Sequence, residues 1–209
     1  MFKKTFFFIV FEGIEGTGKS YQINKLYNSL KKYKLKVEKT REPGGFPTAE
    51  KIRKLLFSKS NIKFDSLTDY FLILAARNEH FLKKLLPAKK NKIIVICDRF
   101  IDSTLAYQVN GNKISYKLNQ NISSYILKNF KPNLTIVLKS DLKTIFRRIK
   151  KRKHINKFDK LKKSFYIKAQ NFFIKKAKNN KNNYLLFDSS SDDKLLEKKI
   201  LLKVLNRIK

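Results

Sequence analysis

The sequence predicts an α/β fold, a five-stranded parallel sheet flanked by helices, on three observations. Short apolar runs rich in β-branched and aromatic residues recur along the chain, helical stretches separate them, and the runs are too continuously apolar to keep one face wet. Four runs are clear, Phe6–Phe11, Ile93–Cys97, Leu134–Leu138 and Tyr184–Phe187, and Leu35–Lys39 is a weaker fifth. Helices are expected near residues 18–33, 48–57, 65–86, 115–129, 141–152, 159–178 and 192–208. No repeat and no Pro/Gly/Ser-rich linker divides the 209 residues, so a single domain over 1–209 is expected. The opening Met1-Phe2-Lys3-Lys4 and the apolar run after it imitate a secretory leader. That run lacks a small-residue cleavage site and passes straight into Glu12-Gly13, so it reads as a buried first strand. No apolar run approaches the roughly twenty residues of a membrane helix, and the cytoplasm is the expected compartment.

The composition restrains the functional reading. With 49 Lys+Arg against 16 Asp+Glu the formal net charge is +33, yet 42% of residues are hydrophobic, enough for a packed core and against a disordered basic tail. Only eight of the basic residues are arginine: Arg41, Arg53, Arg77, Arg99, Arg147, Arg148, Arg152 and Arg207. Lysine, asparagine, isoleucine and phenylalanine share A- and T-rich codons, so the lysine excess is weak evidence for a nucleic-acid partner. It favours anionic ligands by steering. The single cysteine, Cys97, excludes a disulfide framework and reads as a core residue. His80 and His154 lie far apart without metal-ligand neighbours, and His80 is expected to be structural.

The chemistry starts at Gly13-Ile14-Glu15-Gly16-Thr17-Gly18-Lys19-Ser20, which fits G-x-x-x-x-G-K-[ST] between an apolar strand and an amphipathic helix. The glycines let successive amides turn inward as a nest, and the helix N-terminus adds partial positive charge. Lys19 reaches the outer phosphates of a nucleoside triphosphate, and Ser20 can ligate Mg²⁺. The spacing G-x-G-x-x-G of dinucleotide folds is not met. A second element ends the strand Ile93–Cys97 with Asp98-Arg99, a carboxylate for Mg²⁺ or its waters and a guanidinium for a phosphate. In a lysine-dominated chain, Arg41 after the second strand, Arg77 inside the apolar helix Tyr70–Ala76 and Arg99 suggest planar, hydrogen-bonded recognition. There is no guanine-reading N-K-x-D, so the acceptor of the phosphoryl group stays open among water, a protein and a small molecule.

Five segments resolve that choice by resemblance. Phe-Glu-Gly-Ile-Glu-Gly-Thr-Gly-Lys-Ser (11–20), Thr-Arg-Glu-Pro-Gly-Gly (40–45), Leu-Ala-Ala-Arg (74–77), Asp-Arg-Phe (98–100) and Ser-Thr-Leu-Ala-Tyr-Gln (103–108) resemble, in order, the bacterial thymidylate kinases. The resemblance implies the phosphate-loop nucleoside monophosphate kinase architecture with a basic lid at about 148–160. It implies the reaction ATP + dTMP → ADP + dTDP with Mg²⁺, in a homodimer without membrane or specific nucleic acid. The acceptor region would span about 41–108. Arg99 would hold the dTMP phosphate, Glu15 face the deoxyribose hydroxyl, Arg77 bond the thymine, and Thr104 and Gln108 lie near the base. Tyr107 would crowd the 2′ position and reject a ribonucleotide by clash. Arg41, Pro43, Ile73 and Ser103 complete the dTMP set. Lys19 with the lid cations Arg148, Arg152 and Lys157 would neutralise charge on the transferring group.

The chain departs from the family pattern in three places. Ile73 occupies the position of a phenylalanine that stacks on thymine, with Phe71 or Tyr70 as substitutes on neighbouring turns. The lid pattern Asp-Arg-x-Glu reads Asn156-Lys157-Phe158-Asp159, and Leu-Asp after the fourth strand reads Leu138-Lys139. Two alternatives remain, another nucleoside monophosphate kinase and a basic nucleic-acid-binding ATPase. The second is disfavoured because most of the 18 phenylalanines fall at core spacings.

Overall fold

A computed structural model describes residues 5–58, 64–152, 161–191 and 194–208. Its strands are β1 (Phe7–Glu12), β2 (Val37–Arg41), β3 (Ile94–Asp98), β4 (Leu134–Lys139) and β5 (Tyr184–Asp188). All pairings are parallel, in the order β2-β3-β1-β4-β5. The four clear runs and the weaker fifth all became strands, each displaced by at most two residues. The weak signal of β2 lies in its residue types: Glu38, Lys39, Thr40 and Arg41 are polar, and Lys39 and Arg41 are exposed at the sheet edge, whereas the other edge strand, β5, keeps the apolar run Leu185–Phe187.

Alternation along β1 shows why the inner strands are apolar on both sides. Ile9 and Phe11 point to a cluster formed with α1 (Lys19–Lys32) and the C-terminal helix Lys194–Ile208, where Leu26, Leu30, Ile200 and Val204 are buried. Phe8 and Val10 point to the other face, against Phe81, Leu85, Phe100, Leu127 and Phe130. A further cluster on β4 joins Val137 to Ile145, Tyr166 and Phe173. Phe8 meets Phe100 edge-on at 5.1 Å between centroids, so much of the phenylalanine is indeed core.

The remaining helices are α2 (Pro47–Leu56), α3 (Ser66–His80), α4 (Leu86–Lys90), α5 (Ile101–Thr104), α6 (Tyr116–Leu127), α7 (Leu142–Lys150) and α8 (Lys163–Asn179), with Lys194–Ile208 as α9. Two findings differ from the sequence expectation. The continuous helix expected over 65–86 ends as α-helix at His80 and passes through a π-helical turn, Phe81–Leu85, into α4. Pro87 has no amide for the carbonyl four residues back, so a regular ladder cannot run through it. Residues 101–109, for which no helix was expected, form α5 and a second π-helical turn, Leu105–Val109. Asp102, Ser103 and Thr104 are poor helix formers, and four residues are too few to display a period. Among the described residues no helix is long and apolar enough to cross a membrane.

The sheet order fixes where ligands can go. From β1 the chain crosses to β2 beyond β3, and later reaches β4 on the other side of β1, which leaves a crevice at the carboxyl ends of β1 and β3. Register pairs Phe11 with Asp98, and Asp98 with Arg41, so these strand ends lie level at that crevice.

Candidate active site

The loop after β1 is forced by its neighbours. Gly13 sits at φ +136°, and a Cβ there would lie 2.3 Å from the Leu138 carbonyl oxygen of β4. Gly18, at φ +82°, is the N-cap of α1 and gives it no side-chain cap. In α3, α6 and α7, by contrast, Asp65, Ser115 and Asp141 accept from the first-turn amides of Leu67, Leu118 and Thr144. The amides at the start of α1 are therefore left for an anion. Thr17 Oγ1 donates to the Ile14 carbonyl at 2.8 Å, and Ser189 Oγ donates to the Thr17 carbonyl at 2.8 Å, tying the loop to the end of β5. Lys19 Nζ folds back onto the carbonyls of Gly13 and Ile14, both at 2.9 Å. Burial, then the nearby Arg99 guanidinium, lowers its pKa to about 8.

Arg99 follows β3 at φ +71°, a strained setting for a side chain with a Cβ. Its Nη1 donates to the Gly13 carbonyl and Ser103 Oγ, both at 3.0 Å, and its Nη2 donates to Glu15 Oε1 at 2.6 Å. The other carboxylate oxygen of Glu15 accepts from the Tyr107 hydroxyl at 2.6 Å. Underneath, Glu12 is fully buried and accepts from the Phe100 amide at 2.8 Å and from the Ser103 amide at 3.2 Å and hydroxyl at 2.6 Å. It thereby fixes the turn that carries Arg99. Burial and then the Asp102 carboxylate push its pKa up to about 8.

Beside this network an apolar slot is lined by Glu15, Glu42, Pro43, Leu56, Phe57, Ile73, Arg77, Arg99, Phe100, Ser103, Thr104, Tyr107 and Gln108. Nine of the ten residues expected to bind the acceptor are in it, from the loop after β1 to the second π-helical turn. The exception is Arg41, which lines the adjoining cleft and is held in a two-pronged ion pair with Glu50, at 3.0 and 2.8 Å. Arg77 is 1% exposed. Its Nε donates to Glu42 Oε2 at 2.7 Å and its Nη2 to Thr104 Oγ1 at 2.8 Å, while Nη1 is buried with no hydrogen-bond partner among the described residues. His80 Nδ1 lies 2.9 Å from Glu42 Oε1 and Nε2 lies 2.7 Å from Thr40 Oγ1, so this histidine is structural, as expected. Burial opposes charge on Glu42, yet Arg77 and then His80 hold its pKa below the ordinary carboxylate value.

The adjoining cleft, of about 390 Å³, runs from Gly16, Gly18, Lys19 and Ser20 past Asp98 to Arg41, Arg53, Arg99, Arg148 and Arg152. Six of the eight arginines thus line the slot or the cleft. Arg53 was not singled out by the sequence reading, although its scarcity argument applied equally. It comes from α2, donates to the Pro43 carbonyl at 2.8 Å and stacks on Phe57 at 4.6 Å. Glu42 was missed likewise, inside a segment already noted, because nothing in sequence shows that a carboxylate will be buried. Arg148 Nη1 reaches the Gly16 carbonyl at 3.3 Å. Lys157 and most of the expected lid lie outside the described residues.

The donor set suits a hard cation. Ser20 Oγ donates to Asp98 Oδ2 at 3.2 Å, while Asp98 Oδ1 is buried and has no hydrogen-bond partner among the described residues. Among the described residues no group of three His, Cys, Asp or Glu side chains is arranged for a metal, so such an ion would take further oxygens from phosphate and water.

One family departure acquires an explanation, and the compensation expected for another is not found. Lys139 is register partner of Asp188 across β4 and β5, and Nζ meets Oδ2 at 2.6 Å, holding the Asp188 pKa at about 2 against its partial burial. The expected substitutes for Ile73 are placed elsewhere. Tyr70 is fully buried with its hydroxyl directed at Asn119, Phe71 is 46% exposed, and neither lines the slot.

Comparison with known proteins agrees with this geometry. The family model described as thymidylate kinase matches residues 11–200. A thymidylate kinase of Enterococcus faecalis is 37% identical over 176 residues, covering 83% of each chain. That of onion yellows phytoplasma is 41% identical over 169 residues, covering 80% of this chain and 81% of the relative. The solved thymidylate kinase of Ehrlichia chaffeensis superposes with a TM-score of 0.75 at 30% identity, covering 98% of this chain and 100% of the other. With a family match over residues 11–200 and relatives 37% and 41% identical over most of both chains, the chain belongs to the thymidylate kinase family.

Proposed function

We propose that this chain transfers the γ-phosphoryl group of ATP to the phosphate of dTMP, giving ADP and dTDP, with residues 13–20 as donor loop and 41–108 as acceptor region. The observation that carries the reading is that Glu15 and Arg99 are walls of both the cleft and the slot. A triphosphate on the loop and a monoester in the slot would thus meet at one guanidinium. An oxygen of the dTMP phosphate attacks the γ-phosphorus, and the bond to the β–γ bridging oxygen breaks as ADP leaves. The attacking oxygen is already anionic at neutral pH, so no general base is needed. Catalysis is then positioning and electrostatics. Arg99, joined by Arg53, holds the acceptor phosphate once it displaces the Glu15 carboxylate. Lys19, Arg148 and Arg152 offset charge on the transferring group and leaving oxygen. Mg²⁺ would be held by Ser20 and Asp98, and its chemistry when bound is to offset phosphate charge. Arg77 faces the base with its unengaged Nη1, and Tyr107, locked on Glu15, closes the 2′ side of the sugar.

The reading includes a homodimer, supported by Leu67 and Phe71, which lie one turn apart on α3 and are 41% and 46% exposed, and a cytoplasmic location, where nucleotide pools reside. A coupled assay over dTMP, dUMP, dCMP, GMP and AMP tests the function. ATP consumption should require dTMP or, more slowly, dUMP. Consumption stimulated by DNA or RNA and indifferent to dTMP would replace this reading with the nucleic-acid ATPase.

A further inference from the structure

Three aromatic rings line the slot, and they are not equivalent. Phe100 is 2% exposed, with the Arg77 guanidinium 5.4 Å above its ring and Phe8 against its edge. Tyr107 is 5% exposed, with Arg99 5.2 Å over its ring and its hydroxyl bound to Glu15. Both are fixed parts of the floor. Phe57, directly after α2, is only half-buried and lines the slot and the phosphate cleft together. The Arg53 guanidinium lies 4.6 Å from its ring centroid, and Arg53 also borders the cleft. Ile73, one turn before Arg77 on α3, is 8% exposed and gives the slot an aliphatic wall.

A flat, unsaturated base gains more from a ring face than from an aliphatic wall, because stacking adds to area burial. We infer that Phe57 is the specificity-determining residue on which the acceptor's pyrimidine stacks, and that it supplies the aromatic face that Ile73 cannot. Arg53 shares this ring with the base and the cleft with the acceptor phosphate, which aligns the two ends of the nucleotide. The inference rests on the dTMP reading and deepens it.

The test uses the full-length chain, with dTMP and 5,6-dihydro-dTMP as acceptors. The second keeps the hydrogen-bonding edge but has a puckered, saturated ring. Phe57→Leu should raise the KM for dTMP about tenfold, with kcat and the KM for ATP within about twofold of wild type. It should also shrink the preference for dTMP over the dihydro analogue. Phe57→Tyr, which keeps the ring, should behave as wild type and guards against a Leu variant that folds poorly. Phe57→Leu/Ile73→Phe should regain most of the lost preference. The inference is overturned if Phe57→Leu leaves both KM and preference unchanged, or raises KM equally for both acceptors. A wild type that phosphorylates dTMP while failing this test sinks the inference alone, whereas one inactive on dTMP sinks the underlying reading too.

Discussion

The cleft and the slot share Glu15, Glu42, Pro43, Phe57 and Arg99 as walls, yet arginine does opposite work at their two ends. In the cleft Arg41 is 53% exposed at its side chain and paired with Glu50, and the loop lysine rests on backbone carbonyls that a phosphate can replace. Ion pairs in reach of water contribute little to stability. In the slot Arg77 and Glu42 are each 2% exposed at their side chains and bonded at 2.7 Å, with His80 on the second carboxylate oxygen. Removing one partner of such a pair leaves an uncompensated buried charge. The difference teaches that the end facing the loop, Arg99–Glu15 included, is built for exchange of partners and the Arg77–Glu42 end of the slot for permanence. Substitutions should therefore separate activity from stability along that boundary.

The largest expected effect is on the cleft side. Lys19→Ala should lower kcat by about 10³-fold or more while a urea titration finds stability within about 1 kcal/mol of wild type. Wild-type turnover would break the comparison at its centre. On the slot side, Arg77→Met should cost about 3 kcal/mol of unfolding free energy as well as dTMP affinity. An unchanged denaturation midpoint would show that Glu42 does not depend on it. Within the cleft, Arg152→Ala should slow single turnover by about thirtyfold and Lys157→Ala by less, since a guanidinium fork binds phosphate at two points. The reverse order would move the main lid cation to residue 157.

The smallest effect concerns the carboxyl beneath both regions. Glu12 has a folded pKa of about 8 against an ordinary 4.5. Between these values the unfolded chain has lost the proton that the native state keeps, so the native state binds more protons and stability falls as pH rises. The contribution is fully present below pH 4.5 and is lost as pH rises through about 8, with a slope of up to about 1.4 kcal/mol per pH unit. Glu12→Gln, a neutral isostere, should flatten this part of a pH series of denaturation curves. A variant that loses stability with pH as steeply as wild type would assign the slope to other groups.

Legibility followed whether a signal was local. The loop Gly13–Ser20 is contiguous, and its chemistry could be read from spacing because strand, nest and helix start adjoin in sequence. The inner strands were legible because burial on both faces leaves continuous apolar runs. Residues 101–109 were not, since a four-residue helix and a π-helical turn have no period to detect, although they carry Ser103, Thr104, Tyr107 and Gln108 into the slot. The resemblance supplied those four as site residues without supplying the helix.

By itself the sequence determined the parallel sheet, the anion-binding loop and the arginines worth following, because each is expressed in residue type and short-range order. Only the tertiary structure decided which partners those residues have. Glu42, 35 residues before Arg77, and Arg99, 84 residues after Glu15, meet because the crevice at the ends of β1 and β3 gathers loops from distant parts of the chain. The same folding put Phe57 into the slot and kept Tyr70 and Phe71 out of it, since the direction of a side chain depends on the packing of its helix.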